Sequence, residues 1–372
     1  MAMALDLARL GLGRTSPNPA VGAVIVKNGK VIATGFHKKA GLPHAEIEAL
    51  RNVGARFSRP GGRTPPLQNT TLYVTLEPCC PPKAGRTPPC TDAIIRSGIK
   101  EVVIGMRDPD PKVSGRGVRI LKKHGIRVRE GILRRECEAL NEGYVKHRKT
   151  GLPFVILKAA ATLDGMVAIK GTGTARRART RWITGPEARA QGHRIRDQVD
   201  GILVGINTVM KDNPRLTTRL PGKKGRDPVR IILDSSLRLK PKANVLKVLS
   251  SSPAWIATSA KKNHPKVRLL EKKGTEILFG RATSGGRIDL KWLLRELGKR
   301  GIVNLLVEGG PAVYSSFFKE RLVDKMILFL APSFLGEKGI PIFPAIGVRG
   351  VPTLKGLTAR MIDRDLMIEG YL

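Results

Sequence analysis

Strand-length apolar runs alternate with helix-length amphipathic stretches along almost the whole chain, and this alternation restricts it to layered α/β architecture. A short apolar helix over Ala4 to Leu10 leads into AVGAVIV and KVIATGF, joined by Asn28-Gly29, a strong hairpin signal. HAEIEAL reads as a helix, TLYVTL as a buried strand, CTDAIIRSG as a helix, EVVIGM as a strand, GVRILKKHG as a helix and IRVREGI as a strand. Ala55 to Asn69 has loop composition, and its GRTPP recurs at Gly85 to Pro89. Near KHRKTG, Lys146 to Gly151, the pattern restarts with strand-like PFVILKAAAT, GILVGI, PVRIILD and PAWIATS, and helical PEARAQGHRIRDQVD and LKWLLRELGKRG. NLLVEGG then turns into PAVYSSFFKE, and KMILFLAP and ARMIDRDLMIEGYL close the chain as strands. With 372 residues, more than one core usually serves, the expectation is two α/β domains, 1–148 and 149–372.

No apolar run approaches the roughly eighteen residues of a membrane span, and MAMALDLARLGLGR lacks the order of a secretory signal, so a cytoplasmic location is expected. Three of the four cysteines crowd into EPCCPPKAGRTPPC, Glu77 to Cys90, which speaks for metal or catalysis rather than a disulfide framework. Cys137, in RRECEALNEG, reads as a small buried filler. The formal net charge is +37, spread evenly: residues 1–150 carry 27 Lys+Arg against 12 Asp+Glu, and the rest carry 40 against 18. An even spread marks a basic surface that attracts anions, phosphorylated metabolites included, more than a dedicated nucleic-acid module. One local excess stands out, ARRARTR at Ala175 to Arg181.

His44-Ala45-Glu46 opens a helix, Pro78-Cys79 follows a strand, and Cys90 precedes the next helix. One histidine and two thiolates suit zinc and leave its fourth tetrahedral position for water, whose pKa the metal lowers toward neutrality. Glu46, two residues from the histidine, is placed to shuttle the proton to a leaving amine. The pattern H-x-E, then P-C and a later Cys, is that of zinc nucleobase deaminases. A structural zinc staple would need Cys80 as fourth ligand, although adjacent side chains diverge, and it leaves Glu46 without a role. In the second half no GxGxxG or P-loop occurs. VEGG at Val307 to Gly310, followed by a helix start, is either a phosphate cradle or an ordinary tight turn.

TSPNPAVGAVIV, HAEIEAL, TLEPCCPPKAGRTPPC and MRDPDPKVSGRG, with LKAAATLDG, RWITGPEARAQGHRIR, GILVGINTVMKDNPRLTTR, RIILDSS and VEGG, resemble the RibD family of bifunctional riboflavin-biosynthesis enzymes. The resemblance implies a cytidine-deaminase-like α/β/α domain followed by a dihydrofolate-reductase-like α/β domain. It further implies zinc-dependent hydrolytic deamination of 2,5-diamino-6-ribosylamino-4(3H)-pyrimidinone 5′-phosphate, then NADPH reduction of the ribosyl group of 5-amino-6-(5-phosphoribosylamino)uracil to ribityl. His44, Cys79 and Cys90 are the implied ligands, Glu46 the proton shuttle, and Asn18 and Arg86 substrate contacts. In the reductase half the resemblance assigns Ala160, Trp182, Thr208, Asp212, Ser235 and the run Gly310, Pro311, Ala312, Val313, Tyr314, Ser315 and Ser316 to NADPH. It assigns Thr180, Arg196, Leu216, Arg219 and Glu308 to the ribose-phosphate substrate, with Lys158 and Asp164 near the reacting end. Arg196 and Arg219 are expected to bond the 5′-phosphate.

Two departures stand out: the CPPKA segment is longer than its counterparts and lacks their histidine, and GTGTARRARTR before Trp182 is longer and more basic. The arginines of the latter either meet the 2′-phosphate of NADPH or form a solvated loop, the plainer reading. Expected partners are phosphorylated pyrimidine-ribose small molecules and further copies of the chain, a homo-oligomer, with neither membrane nor nucleic acid. The alternatives are a nucleic-acid deaminase with a basic docking domain, a metal-stapled protein without turnover, and an active reductase beside an impaired deaminase.

Overall fold

A computed structural model describes the chain except residues 58–66, 82–88, 112, 171–181, 223–224 and 345–351, and except the side chains of 55–57. Two compact units result, Met1–Gly151 and Leu152–Leu372.

The first unit runs α1 (Ala2–Arg9), β1 (Gly22–Lys27), β2 (Lys30–Phe36), α2 (Ala45–Phe57), β3 (Thr70–Leu76), α3 (Cys90–Ser97), β4 (Glu101–Met106), α4 (Arg116–Lys123), β5 (Arg127–Glu130), α5 (Arg134–Leu140) and α6 (Glu142–Thr150). Its five strands lie in the order β2-β1-β3-β4-β5. The β1 strand is antiparallel to both neighbours, whereas β3, β4 and β5 run parallel. Asn28 and Gly29 take φ of 48° and 74° and pair Lys27 with Lys30, the twist-matched two-residue turn that the sequence implies.

Two glycines bring helices onto opposite faces of this sheet. Gly35 lies opposite Ala23, so it faces away from Gly22. A Cβ at Gly22 would sit 2.0 Å from the Ala4 carbonyl oxygen of α1, and one at Gly35 would sit 2.4 Å from that of Ala45 in α2. The α5 helix shares the α1 face, where the Cys137 sulfur packs against Gly105. Cys137 is the buried filler expected, its thiol pushed up to about 11 by burial. With α3 and α4 beside α2, the unit is an α/β/α layer.

The second unit contains β6 (Phe154–Thr162), β7 (Met166–Ile169), α7 (Pro186–Gln198), β8 (Gly201–Gly205), α8 (Ile206–Asp212), β9 (Val229–Leu233), β10 (Ala254–Thr258), α9 (Lys266–Glu271), β11 (Thr275–Phe279) and α10 (Leu290–Lys299). It continues with β12 (Asn304–Val307), α11 (Pro311–Lys319), β13 (Lys325–Ala331), β14 (Gly339–Pro341), β15 (Lys355–Ile362) and β16 (Asp365–Tyr371). Nine strands form one sheet, β11-β10-β9-β8-β12-β6-β13-β16-β15, and β7 pairs with β14 apart from it. From β11 to β13 neighbours are parallel; β16 then runs antiparallel to β13 and β15.

Alternation along each central strand divides this core in two. Phe154 and Ile156 of β6 join Ala188 and Ile195 of α7 and Val209 of α8 on one face. Val155, Leu157 and Ala159 join Leu293, Leu294 and Leu297 of α10 and Phe317 of α11 on the other. Both faces are therefore covered, which is why these strands read as unbroken apolar runs. Two of the helices, α8 and α11, start at the carboxyl ends of the adjacent strands β8 and β12, where open parallel sheets receive ligands.

Candidate active sites

In the first unit His44 sits just ahead of α2, and its carbonyl accepts the Glu48 N–H, making it the first residue of the helical ladder. Cys79 follows β3 and Cys90 begins α3. The donor atoms of His44, Cys79 and Cys90 all lie within 4.8 Å of one another. His44 directs Nδ1 at both sulfurs, 3.3 Å from Cys90 Sγ and 3.5 Å from Cys79 Sγ, and the Cys90 N–H donates to Cys79 Sγ at 3.3 Å. One imidazole nitrogen and two sulfurs in this cluster are the donor set of a three-ligand zinc site. The side-chain hydrogen bond between the two thiols holds Cys79 below the ordinary thiol range, and that bond and burial push Cys90 up. A divalent cation is what lets two such thiolates coexist. Cys80 is buried but is not part of the donor cluster.

Glu46, in the first turn of α2, is 4% exposed. Burial, and after it the Cys79 charge, push its carboxyl above the usual range. A cavity of about 50 Å³ opens beside it, lined among others by Asn18, His37, Asp108, Tyr144 and Arg148. His37 Nδ1 lies 3.0 Å from the Pro43 carbonyl, so it donates there, leaving Nε2 to face the Asn18 amide at 3.4 Å. Asn18 is thus held at the cavity wall rather than merely closing its own turn. Arg86 lies outside the described residues.

Glu77 escapes a reading of the sequence although it stands two residues before Cys79. Its buried carboxylate accepts N–H bonds from Asp108, Gly115 and Val118, at 3.1, 2.9 and 3.2 Å. It ties the strand that carries Cys79 to the start of α4 and to the Asp108 loop of the cavity wall.

In the second unit a trough of about 3100 Å³ crosses the carboxyl ends of the parallel strands. Of the residues assigned to NADPH, Ala160, Trp182, Thr208, Asp212, Ser235, Gly310, Pro311, Ala312, Val313, Tyr314 and Ser316 line it; Ser315 does not. Gly205, Gly309 and Gly310 form a glycine cradle in which the start of α11 packs close against the strand ends. A Cβ at Gly205 or Gly309 would meet Val313 at 2.8 or 2.6 Å, and one at Gly310 would meet Thr208 Oγ1 at 3.3 Å. Such a glycine-walled floor at the start of α11 fits a phosphate-bearing cofactor. Trp182 is 53% exposed, with the Arg189 guanidinium 5.0 Å from its ring centre, so it is no core residue. Tyr314 is buried and donates its hydroxyl to the Lys158 carbonyl at 2.8 Å.

Lys158, Arg196, Leu216, Arg219 and Glu308 line the same trough. Arg196 is paired within the trough. Its Nε and Nη2 donate to the two Glu308 oxygens at 3.0 and 2.6 Å, and Nη1 donates to the Thr217 carbonyl. Burial works to raise Glu308, but Arg196 and Lys158 overcome it and hold the carboxyl at about 2. Leu216 is buried with φ of 57°, unusual for a leucine, in the loop that brings Arg219 to the site. His193, three residues before Arg196 on α7, lines the trough and accepts the Arg219 N–H on Nδ1. Its i, i+3 spacing to Arg196 was the available signal. Asp164 does not line the trough; its carboxylate accepts from Thr162 Oγ1 and the N–H groups of Leu335 and Gly336, fixing a turn. Thr180 and the ARRARTR run lie outside the described residues.

Residues 1–106 match the family model for the cytidine and deoxycytidylate deaminase zinc-binding region, and residues 153–368 match that for the RibD C-terminal domain. The second match sets aside the reading of this half as a basic nucleic-acid docking module. The chain is 43% identical over 352 residues to riboflavin biosynthesis protein RibD of Aquifex aeolicus (strain VF5), covering 94% of this chain and 90% of that one. It is 37% identical over 368 residues to the RibD of Escherichia coli (strain K12), covering 96% and 91%. Among solved structures, Acinetobacter baumannii RibD, form 1, aligns with a TM-score of 0.84 at 35% identity, covering 100% of this chain and 97% of that one. The Thermotoga maritima diaminohydroxyphosphoribosylaminopyrimidine deaminase/5-amino-6-(5-phosphoribosylamino)uracil reductase aligns with a TM-score of 0.82 at 38% identity, with the same coverage. Similarity at this level over both units and their full length makes the chain a member of the RibD family, a zinc- and NADPH-dependent deaminase and reductase of riboflavin biosynthesis.

Proposed function

We propose that residues 1–148 deaminate 2,5-diamino-6-ribosylamino-4(3H)-pyrimidinone 5′-phosphate and that residues 149–372 reduce the ribosyl group of the product to ribityl. When bound, zinc on His44, Cys79 and Cys90 supplies a nucleophilic water at neutral pH, and NADPH supplies the reducing equivalents. The observation that carries the first half is the buried, upward-shifted Glu46 carboxyl beside the donor cluster. A carboxyl raised by burial is a stronger base than a solvated one, so Glu46 takes a proton from the attacking water and delivers it to the departing amine, which leaves as ammonia. Asn18 and Arg86 orient the substrate.

In the second half, the glycine cradle, Ala160, Trp182, Thr208, Asp212 and Ser235 hold NADPH. Lys158, Glu308, Leu216 and Thr180 hold the ribose end. Arg219 binds the 5′-phosphate, while Arg196, paired with Glu308, contributes its field and fixes that carboxylate. A cytoplasmic, homo-oligomeric enzyme completes the proposal; no helix among the described residues is long and apolar enough to cross a membrane.

The test is a two-part assay of deamination and NADPH oxidation on the whole chain. Glu46→Gln and Cys79→Ala should lose deamination by about a hundredfold or more while keeping reduction, and Cys80→Ser should keep both. Full deamination by Glu46→Gln would overturn the reading.

A further inference from the structure

The cavity beside Glu46 contains one lysine or arginine among its described lining residues, Arg148, which no step so far has used. Arg148 stands on α6, four residues after Tyr144 and so on the same helical face. Its guanidinium carbon lies 5.3 Å from the centre of the Tyr144 ring. Tyr144 is buried, and its hydroxyl faces the Asp108 carboxylate at 3.5 Å. A rigid aromatic platform therefore holds an exposed guanidinium at the cavity rim.

The rest of the cavity's charged lining has the opposite sign. Glu46, Glu77, Asp108 and Cys79 are among the other lining residues of the cavity. At about 50 Å³ the cavity is far too small for a whole phosphoribosyl pyrimidine, so the sugar-phosphate arm must leave through the mouth. A phosphate dianion is repelled by the carboxylates inside and attracted by a cation at the rim. We propose that Arg148 binds the 5′-phosphate of the deaminase substrate and thereby sets the register of the ring against Glu46. This rests on the deaminase reading of the site.

The experiment compares steady-state deamination of the 5′-phosphorylated substrate and of the corresponding phosphate-free riboside, using the zinc-loaded full chain. Arg148→Gln should raise KM for the phosphorylated substrate about tenfold with kcat unchanged, and leave the riboside unaffected. Arg148→Lys should recover part of the loss. Because the group is exposed, the tenfold gap should narrow as salt is raised. NADPH oxidation by the same variants, unchanged, shows that the chain is folded. An unchanged KM, or an equal rise for both substrates, overturns the proposal. Undiminished deamination by Glu46→Gln overturns the site assignment itself, and through it this proposal, by a different variant.

Discussion

His193 is held at about 4, chiefly by burial and then by the charges of Arg196 and Arg219, against 6.5 for a free imidazole. Its folded pKa lies below its unfolded one, so between pH 6.5 and pH 4 the unfolded chain takes up a proton that the folded chain refuses. Stability from this group is unaffected above that window and falls within it. Urea midpoints at pH 7 and pH 5 should therefore drop further for the wild type than for His193→Gln, and equal drops would sink the argument. At this scale legibility follows chain distance. His44, Glu46, Cys79 and Cys90 were readable because each belongs to a short string whose donor chemistry is meaningful alone. The Arg196–Glu308 pair joins residues 112 apart, so the sequence displayed a free arginine where the fold has a committed one. Asp164 is similar, since its carboxylate joins its own turn to the N–H groups of Leu335 and Gly336, partners that no local string reveals.

Among elements, the contact of α2 with the sheet positions the metal centre. Gly35 lets the helix start sit against β2, and a Cβ there would also lie 2.4 Å from the Ala49 nitrogen and 2.9 Å from Glu48 Cβ. Gly35→Ala should cost about 1–3 kcal/mol in denaturation. It should also reduce deamination while sparing NADPH oxidation, because the residues displaced carry His44 and Glu46. An undisturbed deaminase in that variant would mean that α2 has slack. The Asn28-Gly29 hairpin and the long periodic helix α10 were plain in the sequence, the latter because Leu290, Leu293, Leu294 and Leu297 mark one face and Asp289 caps it. Short elements were not: α8 and α9 have seven and six residues, too few for periodicity to be distinguished from loop. Their existence is set by packing against the sheet instead.

The whole second sheet ends in an open edge. Among the described residues strand β15 pairs only with β16, and Leu357 and Met361 on it are 58% and 62% exposed. Such an edge is a template for another strand, in keeping with the homo-oligomer proposed above. Light scattering should find more than one copy at micromolar concentration, and a monomer there would remove that part of the proposal. The same sheet imposes an order of events on synthesis. Strand β6 is made first, yet its two ladder neighbours are β12 and β13, so residues 163–303 must be added before either exists. At ribosomal rates that is a delay on the order of ten seconds. Throughout it the segment FVILKAAAT, apolar and apt to form strands, waits without the partners that shield it. Folding of the reductase half is thus timed by the segment from β12 onward, and in the interval this strand is a segment in need of a chaperone.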